Sequence, residues 1–489
     1  MIAGAPGIDR RSTVAALAAL AAIVLVALVV PSTRPAGLLR DFNAFYCAGQ
    51  ALDREADPYR AEPLGSCERV PKPPPLLSIG PGLAMPAPLP PYALGPFAIL
   101  ARLPFVAAAA LWTLALALCV AIAVLCLQRL TGLPTATLAF AFLLGDGYAA
   151  LALGQVAPVA VAAIALCALM LAEGRDEIAA CAAGVAMLEP HLGLPVCASL
   201  FCWRARTRLP LLVVAAACCA VSCAIAGFAT SLEYLRQVVP AHALSEVANE
   251  KQFSLNYALC RLHVPVEIAL RAGEVWYAVA VAAAVWAAGR IARRGGNVGS
   301  IAAVPAALAV FGGPFVHISQ IAAALPAALL LYAPNRAERR PALGPVIVAL
   351  AIPWVQFADL GTIFVVLAAL VAAYLAHALV DARPATAAIA GCAALLFIEA
   401  AIAALTSVPD ASRALVAHYD PTALAEASWT LYVRSIGTVN AAAFDFAKLP
   451  TVAALSALVY VTFVVALRPQ PIVAAGGNGA APSRRIALQ

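Results

Sequence analysis

Charge is scarce in this chain: Asp, Glu, Lys and Arg together make up 11% of its 489 residues. Soluble domains carry about a quarter, so a water-soluble globular fold is excluded at the outset. No Gly-x-Gly-x-x-Gly, Walker or His-Glu-x-x-His pattern stands in a context that could use it. A nucleotide-binding domain, and with it an ATP-driven pump, is therefore not expected. No Cys-x-x-Cys or Cys/His spacing marks a metal site. No Asp-x-Asp pattern asks for one either, so neither metal nor cofactor is expected. The formal charge of +6 comes from basic residues scattered in short loops, which argues against nucleic acid as a partner.

What abounds is apolar sequence, 64% of the chain, with a mean hydropathy of +0.91. A membrane span needs about 20 apolar residues. The runs begin at Thr13–Val30 and end at Val452–Leu467. They predict an all-α polytopic membrane protein of about 12–14 transmembrane or re-entrant helices. One integral membrane domain covers residues 1–468, and 469–489 read as a disordered cytoplasmic tail. Thr13–Val30 follows Arg10 and Arg11 and is read as a retained first span. Most of the 13 cysteines lie inside apolar runs, where cysteine is a small hydrophobe. Cys47 and Cys67 lie in the first polar loop and could pair in an oxidising compartment.

Orientation follows from arginine. Alternate short loops carry Arg129, Arg175, Arg204, Arg290, Arg336, Arg383 and Arg468, and the intervening turns near Asp146, Phe315 and Asp359 carry none. Basic loops stay in the cytoplasm, so both termini are placed there. The pattern holds only if Ile178–Trp203 crosses twice, although it is too short for two full spans. A re-entrant pair of short helices turning at Glu189-Pro190-His191 is therefore predicted, with the proline marking the break. The exterior then receives long polar loops at about 31–91, 231–264 and 406–448.

Ionisable groups at membrane depth or edge are costly, and mark function by default. Five exterior clusters stand out: Asp41 with Tyr46 and Tyr59; Asp146 with Gln155; Glu189 with His191; Lys251 with Asn256 and Arg261; and His317 with Ser319 and Gln320. Each has a plainer account. Asp41 and His317 could simply cap helices, Asp146 and Gln155 could be turn residues, Glu189 and His191 could pair, and Asn256 and Arg261 could be ordinary loop residues. That all five fall on one face, by an orientation argument that never used them, favours function. Glu399, inside an apolar run, is a further candidate.

The segment Asp41-Phe42-x-x-Phe45-Tyr46-x-Ala48, closing in Asp57-Pro58-Tyr59, resembles the first exterior loop of glycosyltransferase family 87. So do the proline-rich stretch through Pro90-Pro91, the Gly154-Gln155 turn, the hairpin tip and the Asn256 loop. The resemblance departs at Glu189, where many members carry Lys. It implies a glycosyltransferase-C-like bundle in a cell membrane. It further implies inverting transfer of a sugar, mannose first, from a polyprenyl-phosphate donor to a hydroxyl of a glycolipid or glycan acceptor. Asp41 matches the catalytic base. Tyr46, Tyr59, Gln155, Glu189, His191, Lys251, Asn256, Arg261 and His317 are the expected substrate-binding residues, and Arg261, Lys251, His191 and His317 the candidates to meet the leaving phosphate. A lipid-linked glycan transporter or flippase, and a polysaccharide polymerase or ligase, are the competing readings.

Overall fold

The computed structural model describes residues 39–70, 82–148, 153–383, 391, 393, 397 and 412–468. The expected first span at 13–30, the tail from 469, and the Asp146 and Glu399 side chains lie outside the described residues. Among the described residues every regular element is helical, and the single strand-like pairing is an isolated bridge between Arg60 and Leu424.

Among the described residues, four helical stretches are long and apolar enough to cross a membrane: Phe105–Thr131, Ala205–Glu246, Val266–Arg293 and Phe444–Leu467. Among the shorter apolar helices, Ala157–Ala172 and Ser300–Gly312 are packed between neighbours and buried nearly throughout. This is an all-α polytopic membrane protein. Alanine dominates the packed helices, and its small side chain lets backbones approach closely where no hydrophobic drive separates helix from lipid. Val266–Arg293 lies along Ser300–Gly312, and Phe105–Thr131 along Ala157–Ala172.

The segment 178–203 divides as its sequence suggests. Asp176–Ala186 and Pro190–Trp203 are separate helices packed on each other, with Pro190 opening the second. Their 11 and 14 residues span only about 16 and 21 Å, short of a hydrocarbon core of about 30 Å. The base of the hairpin is closed by Arg204, whose guanidinium grips both carboxylate oxygens of Asp176 at 2.7 and 2.9 Å. Both side chains are largely buried, so the two ends of the hairpin are held together, away from its tip.

The regions expected as exterior loops are folded into helices rather than left as coil. The first contains Arg40–Asp53 and Ala61–Glu68, joined by a disulfide between Cys47 and Cys67. The second contains Val239–Glu246 and Leu255–Arg261. The third contains Ser412–His418, and the last helix already begins at Ala425 and runs to Leu467. That helix therefore starts far ahead of the apolar run that announced it, because its first half is polar enough to hide the helix in a hydropathy reading. Arg60 ties the three regions together. Its guanidinium pairs with Asp57 at 2.9 Å and with Glu233, and donates to the Thr422 carbonyl. The Tyr59 carbonyl accepts the Ala425 N–H at 2.9 Å.

Candidate active site

A cavity of about 730 Å³ opens where these segments meet the hairpin tip. Asp41, Gln155, Glu189, His191, Lys251 and His317 all line it. Five stretches far apart in sequence thus deliver their polar residues to one space.

Asp41 lies in the first turn of Arg40–Asp53, but the N-cap is Leu39, in the left-handed region, and no side chain caps the helix. The carboxylate is turned to the cavity instead, where Asp41 Oδ2 accepts from Gln155 Nε2 at 2.5 Å and Oδ1 lies 3.4 Å from Arg40 Nε. The helix is anchored below by Phe42. That ring is fully buried among Tyr46, Phe97, Phe105 and Trp112 at centroid distances of 5.6–6.4 Å. Such pairs each contribute about 0.5–1.5 kcal/mol beyond area burial. Gln155 is aimed by the residue before it. Gly154 has φ +68°, its carbonyl accepts the Trp112 indole N–H at 2.8 Å, and a Cβ there would stand 2.6 Å from the Phe42 Cβ. Only glycine fits this left-handed, close-packed position.

Glu189 is buried at the hairpin tip, and its Oε2 lies 3.5 Å from both Gln320 Nε2 and His191 Nδ1. Burial pushes its carboxyl up to about 7, against the opposing pull of His317. Burial pushes the His191 imidazole down to about 3, so Glu189 and His191 do pair, but not as an ion pair near neutral pH. His191 Nε2 is buried without a hydrogen-bond partner. The backbone here is fixed by Tyr277, whose hydroxyl donates to the His191 carbonyl at 2.6 Å.

His317 begins the short helical turn Ile318–Ala324, with its N–H held by Gln320 Oε1 at 2.8 Å. It both caps that turn and faces the cavity. Its Nε2 lies 3.3 Å from Glu246 Oε2. Burial disfavours the imidazolium, but the Glu246 carboxylate outweighs it, helped by Asp41 and Glu189, so the His317 pKa is raised above its ordinary value. Lys251 places its ammonium 5.4 Å from the centre of the Phe444 ring while lining the cavity.

Four expected residues do not line it. Tyr46 donates to the Leu103 carbonyl at 2.9 Å, and Tyr59 to the Leu89 carbonyl at 2.8 Å. Asn256 donates to the Pro314 carbonyl at 2.7 Å. A Cβ on Gly273 would overlap its Oδ1 at 1.4 Å, so Asn256 is packed against bare backbone. Arg261 is engaged by Asp445 at 3.1 Å, beside Tyr257 and Lys448. These side chains are engaged in contacts within the fold instead. Conversely, Glu246, Gln252, His242 and Trp429 belong to the site or its support and were not among the expected residues. The polar spacing of Glu246, Asn249 and Gln252 around Lys251 marks Glu246 and Gln252, whereas no local pattern marks His242 or Trp429.

One wall of the cavity is apolar. Leu194 from the hairpin and Cys218, Cys219, Phe228, Leu232 and Leu235 from the helix after it face the space. That helix is only sparsely covered by protein, and Phe228 and Leu235 are 73% and 65% exposed.

Comparison with family models finds one match over this region. Residues 89–312 match glycosyltransferase family 87. The matched family 87 stretch includes Gln155, Glu189, His191 and Lys251, and supports glycosyltransferase activity. Asp41 and His317 lie on either side of it and join it through the cavity. Comparisons with curated proteins and with solved structures gave no match.

Proposed function

We propose that this protein transfers a sugar, mannose first, from a polyprenyl-phosphate donor to a hydroxyl of a glycolipid or glycan at the exterior face of a cell membrane. Asp41 acts as the general base. The acceptor oxygen attacks the anomeric carbon and its proton passes to the Asp41 carboxylate. The bond from that carbon to the phosphate oxygen breaks, with inversion, and its electron pair leaves on the lipid phosphate. The growing charge there is met by His317, Lys251 and Arg40, preorganised in a space partly shielded from water, where such interactions are strongest. Arg261 is occupied by Asp445 and takes no part.

The observation that carries this reading is the shape of the cavity. Asp41, with the buried carboxyl groups of Glu189 and Glu246, shares a chamber with a group of basic side chains, and one wall of that chamber is apolar and carried by a helix sparsely covered by protein. A donor with a charged head and a hydrocarbon tail matches that pairing, whereas a water-soluble donor would leave the apolar wall without a role. The disulfide between Cys47 and Cys67 supports an exterior location for the site, because disulfides persist in oxidising compartments. The test is a reconstitution of the full-length protein with a synthetic polyprenyl-phosphate mannose. Release of polyprenyl phosphate only when an acceptor is supplied supports transfer. Release without acceptor, or movement of intact donor across a vesicle bilayer, contradicts it.

A further inference from the structure

We propose that Glu246 is a positioning residue that holds His317 as a cation directed into the cavity opposite Asp41, where it meets the leaving phosphate. This rests on the transfer reaction proposed above, but its first observable, the charge on His317, does not depend on that reaction.

The two members of the pair are placed unequally. Glu246 is 3% exposed, and His317 keeps 29% of its side chain open. The carboxylate is the more deeply buried of the two, so the imidazole is the group more open to a ligand. Glu246 is also held by donors that leave it no reason to take a proton. Trp429 Nε1 donates to Oε1 at 2.7 Å, and Asn249 Nδ2 and Gln252 Nε2 donate to Oε2 at 2.7 and 3.0 Å. These donors come from the long C-terminal helix and from the loop after Val239–Glu246, and together they fix the carboxylate in place. A buried carboxylate so fixed needs a counter-charge, and His317 is the titratable group in reach.

Gln252 decides between two states of the imidazole. Its Oε1 accepts the Val316 N–H at 2.6 Å, so its amide is oriented with Nε2 toward the pair. That nitrogen lies 2.8 Å from His317 Nε2 and 3.0 Å from Glu246 Oε2. It donates to a neutral imidazole or, when Nε2 carries a proton, to the carboxylate alone. Proton gain at His317 thus exchanges the bond from Gln252 Nε2 for one from His317 Nε2 to Glu246 Oε2, which lies at 3.3 Å. Asp41 from the first helix and Glu189 from the hairpin tip act on His317 in the same direction as Glu246, whereas the imidazoles of His191 and His242 oppose its charge. Among the described residues, Glu246 is the carboxylate in direct contact with His317.

The experiment begins with the full-length protein in lipid nanodiscs, labelled with ¹⁵N-histidine, the His317 signals being assigned by their loss in His317→Gln. His317 is expected to titrate above its ordinary value of 6.5 in the unaltered protein, and at lower pH in Glu246→Gln. An imidazole that loses its proton at or below 6.5 in the unaltered protein overturns the proposal even where Glu246→Gln fails to fold. Transfer is then followed from pH 6 to pH 8. Glu246→Gln is expected to lose up to about 10²-fold in kcat at the alkaline end, comparable to removing one preorganised donor, with KM little changed and part of the loss recovered at pH 6. Glu246→Asp, which keeps the charge, is expected to retain the unaltered pH profile. A loss in Glu246→Gln that is equal at every pH contradicts a charge-setting role. If the unaltered protein transfers nothing from a polyprenyl-phosphate sugar, the proposed reaction fails, and the titration alone decides whether Glu246 sets the charge on His317.

Discussion

Replacing Gly154 by alanine removes no functional group, yet it should disable the site. The added methyl would stand 2.6 Å from the Phe42 Cβ and 3.4 Å from Leu39 Cδ2. Phe42 cannot move aside, since its ring is wedged among four other aromatic rings and fully buried. The backbone at +68° adds a second cost, about 1–2 kcal/mol for a side chain in the left-handed region. Overpacking adds about 1–3 kcal/mol. The turn should relieve this by backing away from the helix that carries Asp41, drawing Gln155 with it and opening the 2.5 Å contact between the two. A displacement of about 1 Å at a reacting group can cost about 10²-fold in rate. Gly154→Ala is therefore expected to melt at lower temperature in detergent and to transfer sugar about 10²-fold more slowly. Thermal unfolding followed by tryptophan fluorescence, together with donor turnover, measures both. An alanine variant as stable as the parent and within a few-fold of its activity would refute the claim that this turn aims Gln155 at Asp41.

Other perturbations test separate parts of the account. Glu189 is raised from 4.5 to about 7, so the folded protein binds a proton there that the unfolded chain has released. Its contribution is complete below about 4.5, declines as pH rises through 7, and leaves a penalty on the order of 3 kcal/mol above it. Glu189→Gln, permanently neutral, is expected to raise the melting temperature at pH 8 and much less at pH 5; an equal effect at both would contradict a buried, protonated carboxyl. The Cys47–Cys67 bond closes a loop with a sequence separation of 20, which corresponds to about 3 kcal/mol of unfolded-state entropy. The double variant Cys47→Ser with Cys67→Ser should melt earlier and lose its sensitivity to reductant, and an unchanged melting curve would argue against the bond.

Convergence of the polar residues was legible because charge is so rare. Short arginine-bearing loops alternate with short turns that carry no Lys or Arg, and this alternation puts Asp41, Gln155, Glu189, Lys251 and His317 on one face of the chain. The hairpin was legible for the same reason, and Arg204 on Asp176 supplies the contact that makes the inference physical. What sequence could not separate was lining from wall. Tyr46, Tyr59 and Asn256 carry the same polar atoms whether they meet a substrate or a backbone carbonyl, and only the fold shows carbonyls. Arg261 was indistinguishable from a phosphate ligand until Asp445, far along the chain, was seen beside it. Glu246 was passed over because its value lies in partners drawn from three segments, Trp429, Gln252 and His317, and no local pattern encodes their meeting. The polar half of the last helix was hidden by a hydropathy reading that registers only the lipid-facing part.

The most direct measurement of the central claim is single-turnover transfer by Asp41→Asn, with donor binding measured on the same sample. Asparagine keeps the size and can still hydrogen-bond to Gln155, but it cannot take a proton from an acceptor hydroxyl. General-base catalysis contributes about 10²–10⁴-fold, so the account predicts a folded protein that binds donor and transfers slower by that factor. A rate within a few-fold of the parent, with binding intact, would contradict Asp41 as the base.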